Sequence, residues 1–209
     1  MLLHDNKRSP SPRRVRIFLA EKGVEMPSVD VSIGKGEVLT PEFKKLNPWC
    51  TLPVLELNSG LGISEASAVC RYLEARYPAP PLFGVGPEDI GMVEMWNHRI
   101  EIDGFIPVAE VLRNGVPRLE GRALTGAEDY DQIPALVERG KKRLAHFGDL
   151  LDQQLSEQEH VAGPSFTIAD ITLLVVLDFA SVAGVELRAT RSHLARWYEQ
   201  VAARPSATA

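Results

Sequence analysis

Asn47-Pro48-Trp49-Cys50-Thr51-Leu52-Pro53-Val54-Leu55 is a polar loop bracketed by two prolines, the second of which runs directly into an apolar strand pattern. Only about 5–6% of X-Pro bonds in folded proteins are cis, and such a bond is kept where the chain must turn in one particular way. Read as cis, Leu52-Pro53 reverses the chain ahead of the strand and leaves the Leu52 backbone N–H and C=O free to pair with an extended peptide, as in strand addition. Read as trans, Pro53 simply opens an edge strand.

Downstream, Val54-Leu55-Glu56-Leu57, the turn residues Asn58-Ser59-Gly60 and Leu61-Gly62-Ile63 read as a hairpin. A helix from about Glu65 to Tyr77 follows, with Ala68, Val69, Tyr72 and Leu73 expected on its buried face. Upstream, Met1 to His4 suits a strand, and Val15, Phe18, Leu19 and Lys22 mark one face of a helix stopping at Gly23. Val29 to Val31 suit a second strand, and a loop carrying Gly34 and Gly36 leads to a helical turn at Pro41 to Lys45. The order is βαβ followed by ββα.

Between Pro78 and Pro87 the chain is dense in proline and glycine, which cannot continue a helix. This divides the sequence into an α/β segment (1–78), a linker (79–88) and an all-α helical bundle (89–209). Helices are expected at Asp89 to Asn114, bent by Gly104 and Pro107, and at Gln132 to Gln154, Thr167 to Ala183 and Ser192 to Ala203. Thr167-Ile168-Ala169-Asp170 has the form of a capping box with Asp in place of Glu, opening a core helix of Ile171, Leu174, Val175 and Val176.

With 209 residues, 44% of them hydrophobic, the chain is long enough for one large domain or two small ones. A formal charge of -5 argues against a nucleic-acid partner, since phosphate binding needs an excess of Lys and Arg. The N-terminus is too short and polar for a signal segment, and the longest apolar run, Ile171 to Leu177, falls far short of the ~20 residues that span a bilayer. A cytoplasmic protein with no membrane partner is expected. Cys50 and Cys70 are the two cysteines, without CxxC or paired histidines, so neither a disulfide framework nor a metal site is indicated.

An α/β unit of about eighty residues, a proline-rich linker and a helical remainder together resemble the soluble glutathione transferases. Asn47-Pro48-x-x-x-Leu52-Pro53-Val54-Leu55 is similar to that family's loop and strand, in which the second proline is cis. The resemblance implies a thioredoxin-like N-terminal domain that binds glutathione as co-substrate, with no permanently bound cofactor, and a helical C-terminal domain. Thr51, Leu52 and Pro53 would meet the cysteinyl backbone of glutathione. Glu65 would meet its γ-glutamyl ammonium, and the amides of Ala66 and Ser67, pointing out of the helix N-terminus, would hold its carboxylate. Read without the family, Glu65 complements the helix dipole. Two positions depart from the family pattern: Ala66 lacks the usual hydroxyl, and Val38 stands where relatives often carry a polar ligand contact.

Ser9-Pro10-Ser11-Pro12-Arg13-Arg14-Val15-Arg16 resembles the serine-type members, of theta or zeta kind, in which a serine before the first helix faces the thiol. Ser9 takes that place, with Ser11 the lesser candidate and Arg13 a supporting cation. A serine hydroxyl is too weak a base to deprotonate a thiol. Its useful act is to donate a hydrogen bond to the thiolate, which with the helix N-terminus would lower the thiol pKa by about one to two units. The other role open to either serine is helix capping.

Trp96, Arg99 and Asp103, spaced i, i+3, i+7, lie on a helix that in the family borders the pocket for a small electrophile. Ordinary packing and solvated charge are the plainer reading of all three. For Trp49 the resemblance offers two roles, an aromatic key between subunits, as some classes of the family have, or part of the pocket rim. The resemblance also implies a homodimer. The leading expectation is therefore a glutathione transferase, an enzyme that conjugates the thiolate of glutathione to small electrophiles in detoxification. The alternatives are a non-catalytic binding or regulatory module that kept the fold, and a glutathione-dependent thiol oxidoreductase using Cys50.

Overall fold

The computed structural model describes residues 1–209 and separates into two compact units. The first comprises Met1–Pro80 with Thr125–Asp129 and Thr208–Ala209; the second comprises Pro81–Leu124 and Tyr130–Ala207. The first helix of the second unit begins at Pro87, two residues inside the expected linker.

The first unit runs β1 (Leu2–Asp5), α1 (Pro10–Glu21), β2 (Ser28–Asp30), α2 (Pro41–Leu46), β3 (Val54–Glu56), β4 (Gly62–Ser64) and α3 (Ala66–Arg76). The sheet order is β2-β1-β3-β4, with β2 parallel to β1 and the other pairs antiparallel. This is the βαβ-ββα arrangement read from the sequence. The parallel pair needs the α1 crossover, whereas β3 and β4 close through a hairpin. Val15, Ile17, Phe18 and Leu19 of α1 are buried.

On α3 the buried face consists of Ala66, Val69, Cys70 and Leu73. Ala68 is exposed and Tyr72 only half-buried, so the expected face is rotated by part of a turn. The reason is the start of the helix: with Ala66 as its first residue against the sheet, i+3, i+4 and i+7 fall on 69, 70 and 73. Lys22 is buried as expected from its place on the α1 face, and its ammonium pairs with Glu74 at 2.6 Å and donates to the Pro80 carbonyl.

The second unit contains α4 (Pro87–Arg99), a π-helical segment (Ile100–Phe105), α5 (Ile106–Gly115), α6 (Pro134–Glu157), α7 (Ile168–Val182) and α8 (Ser192–Ala202). The long helix expected to bend at Gly104 and Pro107 is thus continuous but shifts to i→i+5 register ahead of the proline. Ile106 donates to the Glu101 carbonyl. In that register the Ile102 carbonyl would be served by the N–H of residue 107, which a proline does not have. Arg143 of α6 takes the vacancy, donating to the Ile102 carbonyl at 2.6 Å and to the Asp103 carboxylate at 3.0 Å.

Helix α6 runs one turn beyond its expected end. Helix α7 is buried on nearly every side from Ile168 to Leu177, as an apolar run without a polar face requires. Its capping box forms: Asp170 accepts from the Thr167 amide at 2.9 Å, and the Thr167 hydroxyl accepts from the Ala169 amide at 3.3 Å. No helix is long and apolar enough to cross a membrane.

Candidate functional site

Strand register brings the candidate residues of the first unit to one end of the sheet. His4 pairs with Val54, so the chain beyond β1 leaves the sheet where the chain before β3 enters it. Val54 also pairs with Ser64, which puts Glu65 and the start of α3 at that same end. The Ser9 loop, Leu52-Pro53, and Glu65 with Ala66 and Ser67 therefore converge although up to 58 positions separate them along the chain.

The Leu52-Pro53 bond is cis, as the sequence pattern implied, and so is Ala79-Pro80, which carried no such signal. Asn47, almost fully buried, organises the loop: its side-chain amide donates to the Thr51 carbonyl at 2.9 Å and to the Thr51 hydroxyl at 3.1 Å, while its oxygen accepts from the Trp49 amide. Thr51 is thereby held from within the chain. The Leu52 N–H and C=O, by contrast, take part in no backbone or side-chain hydrogen bond of the protein. A main-chain donor and acceptor thus stand side by side just ahead of β3, able to receive an extended peptide.

Glu65 has φ 69° and ψ 122°, a conformation that costs a non-glycine residue about 1–3 kcal/mol and persists only when its surroundings impose it. Its side chain is exposed and does not cap α3, so the dipole-complementing role alone does not account for the geometry. Ala66 opens the helix with its methyl group buried, and Ser67 is half-buried behind it. The first-turn amides of a helix have no intrahelical acceptor and favour an anion.

Ser9 occupies the N-cap position of α1, yet its hydroxyl makes no capping bond. It donates instead to the side-chain oxygen of Asn6 at 3.0 Å. The capping alternative is thus corrected for both serines, since Ser11 lies inside the helix as its second residue. The helix N-terminus is also poorer in donors than expected. Pro10 and Pro12 have no N–H, so Ser11 supplies the one amide among the first three helical positions, and the Arg13 amide returns to the Ser9 carbonyl at 3.4 Å. The Arg13 side chain is half-buried.

Two neighbouring side chains are turned inwards. Cys50 is 3% exposed, with Val31, Val38, Phe43 and Val54 around it and its thiol directed at the Pro48 carbonyl, which withdraws it from redox chemistry in solution. Val38 belongs to the same cluster and is buried in the core. The loop around it is tied by its own polar groups: the Glu37 carboxylate accepts from the Ser32 amide at 2.6 Å, and the Ser32 hydroxyl accepts from the Lys35 amide at 3.3 Å.

In the helical unit, Trp96 is buried with its indole nitrogen unpartnered, and the Arg99 guanidinium lies over its ring, 5.2 Å from the centroid. Asp103 is engaged by Arg143. Trp49 is 71% exposed. Sequence reading missed Asn6 and assigned no task to Asn47. For Asn47 the signal was local, an Asn four residues before a Thr in a loop, where its short amide can bond nearby backbone; for Asn6 only the spacing of three to Ser9 was local.

Residues 8–76 match the model of the glutathione S-transferase N-terminal domain and residues 134–200 that of the C-terminal domain. Glutathione S-transferase 2 of Saccharomyces cerevisiae is 34% identical over 209 residues, covering 99% of this chain and 87% of the relative. A glutathione S-transferase domain-containing protein of Marinobacter aquaeolei superposes with a TM-score of 0.90 at 34% identity, covering 99% of each chain. Gtt2 from Saccharomyces cerevisiae does so with a TM-score of 0.90 at 33% identity, covering 99% of this chain and 98% of that one. The expected theta or zeta kinship finds no support in these relatives, of which Gtt2 is the class named. A sheet end with an open Leu52 backbone, a strained Glu65 and a serine before α1, together with both domain models and full-length likeness, places the chain in the glutathione S-transferase family.

Proposed function

We propose that this member of the family is a glutathione transferase of serine type, in which Ser9 supports the thiolate of bound glutathione as it attacks a small electrophile. The observation that carries the reading is the unpaired Leu52 main chain at the sheet end shared with Glu65 and the start of α3. Glutathione is a short extended peptide with two carboxylates and one ammonium. Its cysteinyl backbone would pair with Leu52 next to Thr51 and Pro53, its γ-glutamyl carboxylate would lie on the Ala66 and Ser67 amides, and its ammonium would meet Glu65.

That placement directs the thiol towards α1. There Ser9, the Ser11 amide and the positive end of the helix are the groups available to a developing thiolate, with Arg13 adding charge. The protein supplies orientation and electrostatics, and the peptide supplies the nucleophile. Recognition of the electrophile is assigned to the helical unit, with Trp96 and Arg99, and less directly Asp103, as the candidate side chains. The working form is proposed to be a homodimer, which sedimentation analysis would report as about twice the 23.0 kDa chain mass.

Calorimetric titration with glutathione separates an enzyme from a fold-retaining module: saturation in the millimolar range or below is expected, and no heat at ten millimolar, about tenfold above a 1 mM Kd, sinks the reading. Ser9→Ala is expected to raise the pKa of the bound thiol by about one to two units, and so to lower conjugation about 10- to 100-fold at a pH below that pKa. An undiminished rate would remove Ser9 from the role.

A further inference from the structure

Ser9 does not stand alone. Asn6 follows β1 directly, and its side chain is held at both ends: the amide nitrogen donates to the Val31 carbonyl just beyond β2 at 3.0 Å, and the oxygen accepts from the Arg8 amide at 3.2 Å. These two bonds fix which way round the amide lies, because the reversed orientation would set oxygen against a carbonyl and NH2 against an N–H. The backbone adds a further tie, the Ser9 amide donating to the Asn6 carbonyl at 2.9 Å. The oxygen that receives Arg8 is also the one that receives the Ser9 hydroxyl, at 3.0 Å.

A serine hydroxyl has a single proton to donate. With that proton on Asn6, the Ser9 oxygen turns only lone pairs towards anything else that approaches it, and lone pairs do not stabilise a thiolate. We propose that Asn6 is a positioning residue for Ser9: it holds the hydroxyl in place before glutathione ionises, and it competes with the thiolate for the hydroxyl proton. This rests on the reading of Ser9 as the thiolate's partner. On ionisation the thiol proton leaves to buffer, Ser9 keeps its own proton and redirects it from Asn6 to sulfur, and Asn6 falls back on the Arg8 amide. Asn6 thereby keeps the pKa of the bound thiol higher than an unencumbered serine would.

The test is a titration of bound glutathione, following thiolate absorbance against pH, in four proteins: the natural chain, Asn6→Ala, Ser9→Ala and the double variant. Asn6→Ala is expected to lower the thiol pKa by about 0.5–1 unit, the size of one modest hydrogen bond, and to have no effect once Ser9 is alanine. Asn6→Asp keeps the acceptor and strengthens it with charge, so it is expected to move the pKa the opposite way, upward, in the Ser9 background. Loop damage would push both Asn6 variants in one direction. Equal shifts with and without Ser9, no shift, or a shared direction for the two variants would each overturn the proposal. If Ser9→Ala itself leaves the thiol pKa unchanged, the Ser9 reading fails and Asn6 falls with it. If Ser9→Ala raises the pKa while the Asn6 variants break the pattern above, only the Asn6 role is lost.

Discussion

The two units use polar groups in opposite ways. In the first, the candidate site rests on main chain left unspent, the Leu52 N–H and C=O, beside the start of α3 and Glu65 in a conformation its neighbours must impose. In the helical unit, several buried polar side chains are consumed internally, the Trp96 indole nitrogen being an exception. Asp170, fully buried, accepts from the Thr167 and Val161 amides and from the Trp197 indole N–H at 3.0 Å. Arg143 repairs the π-helical segment, and Arg191 holds Asp149 and the Ala145 and Leu187 carbonyls. Arg113, whose pKa burial and then Arg122 hold below the usual arginine value, still donates to the Arg122 and Leu124 carbonyls. Groups already satisfied stabilise a fold, whereas unsatisfied ones are what a ligand can use.

The sharpest way to break this contrast is Asp170→Ala. It leaves four buried donors without this acceptor, the Thr167 hydroxyl among them, each worth about 1–3 kcal/mol, so a loss on the order of 4 kcal/mol is expected in denaturant unfolding. Protein that remains folded should bind glutathione with an unchanged thiol pKa. A shifted thiol pKa would mean that Asp170 serves the site as well as the fold.

Next in size is Gly104→Ala. A Cβ there would sit 2.8 Å from Phe147 Cε1 and 3.0 Å from Val176 Cγ1, so rings and branched side chains already packed on the π-helical segment would have to shift. A loss of about 1–3 kcal/mol is expected. A neutral change, despite alanine's better helix propensity acting the other way, would show that this part of the core yields more easily than its packing suggests.

How far these features were readable differs between the units for a physical reason. The cis Leu52-Pro53 bond, the hairpin and the Thr167–Asp170 box are local, set by residues a few positions apart, and sequence spacing carries them. The burial of Cys50 and Val38 was not readable because both lie between the regular elements, in segments that fold back on a small core with Phe43 and Val54, and such residues have no periodicity to announce burial. Asn6 was missed because its meaning depends on Val31, brought alongside only by the parallel pairing of β1 with β2. The part played by Arg143 was unreadable, since nothing in its own neighbourhood, beside Lys141 and Lys142, tells of a carbonyl orphaned by Pro107.

The smallest effect is the one that most cleanly opposes the two units, because its two readouts are expected to move in contrary directions. Glu65 has φ 69°, where glycine alone is at ease. Glu65→Gly removes strain of about 1–3 kcal/mol and gives back part of it through the greater freedom of the unfolded chain, leaving a net gain of about 1 kcal/mol in stability. No variant of a satisfied residue such as Asp170 should stabilise in this way. The same change deletes the carboxylate assigned to the γ-glutamyl ammonium, so glutathione affinity is expected to fall about tenfold, matching a charge-assisted hydrogen bond of about 1.5–3 kcal/mol at its lower end. Stability and affinity are measured on one protein, by unfolding and by calorimetry. If both fall, Glu65 is an ordinary structural residue held by contacts of its own; if stability rises while affinity falls, the strained backbone at the head of α3 exists to present a ligand group.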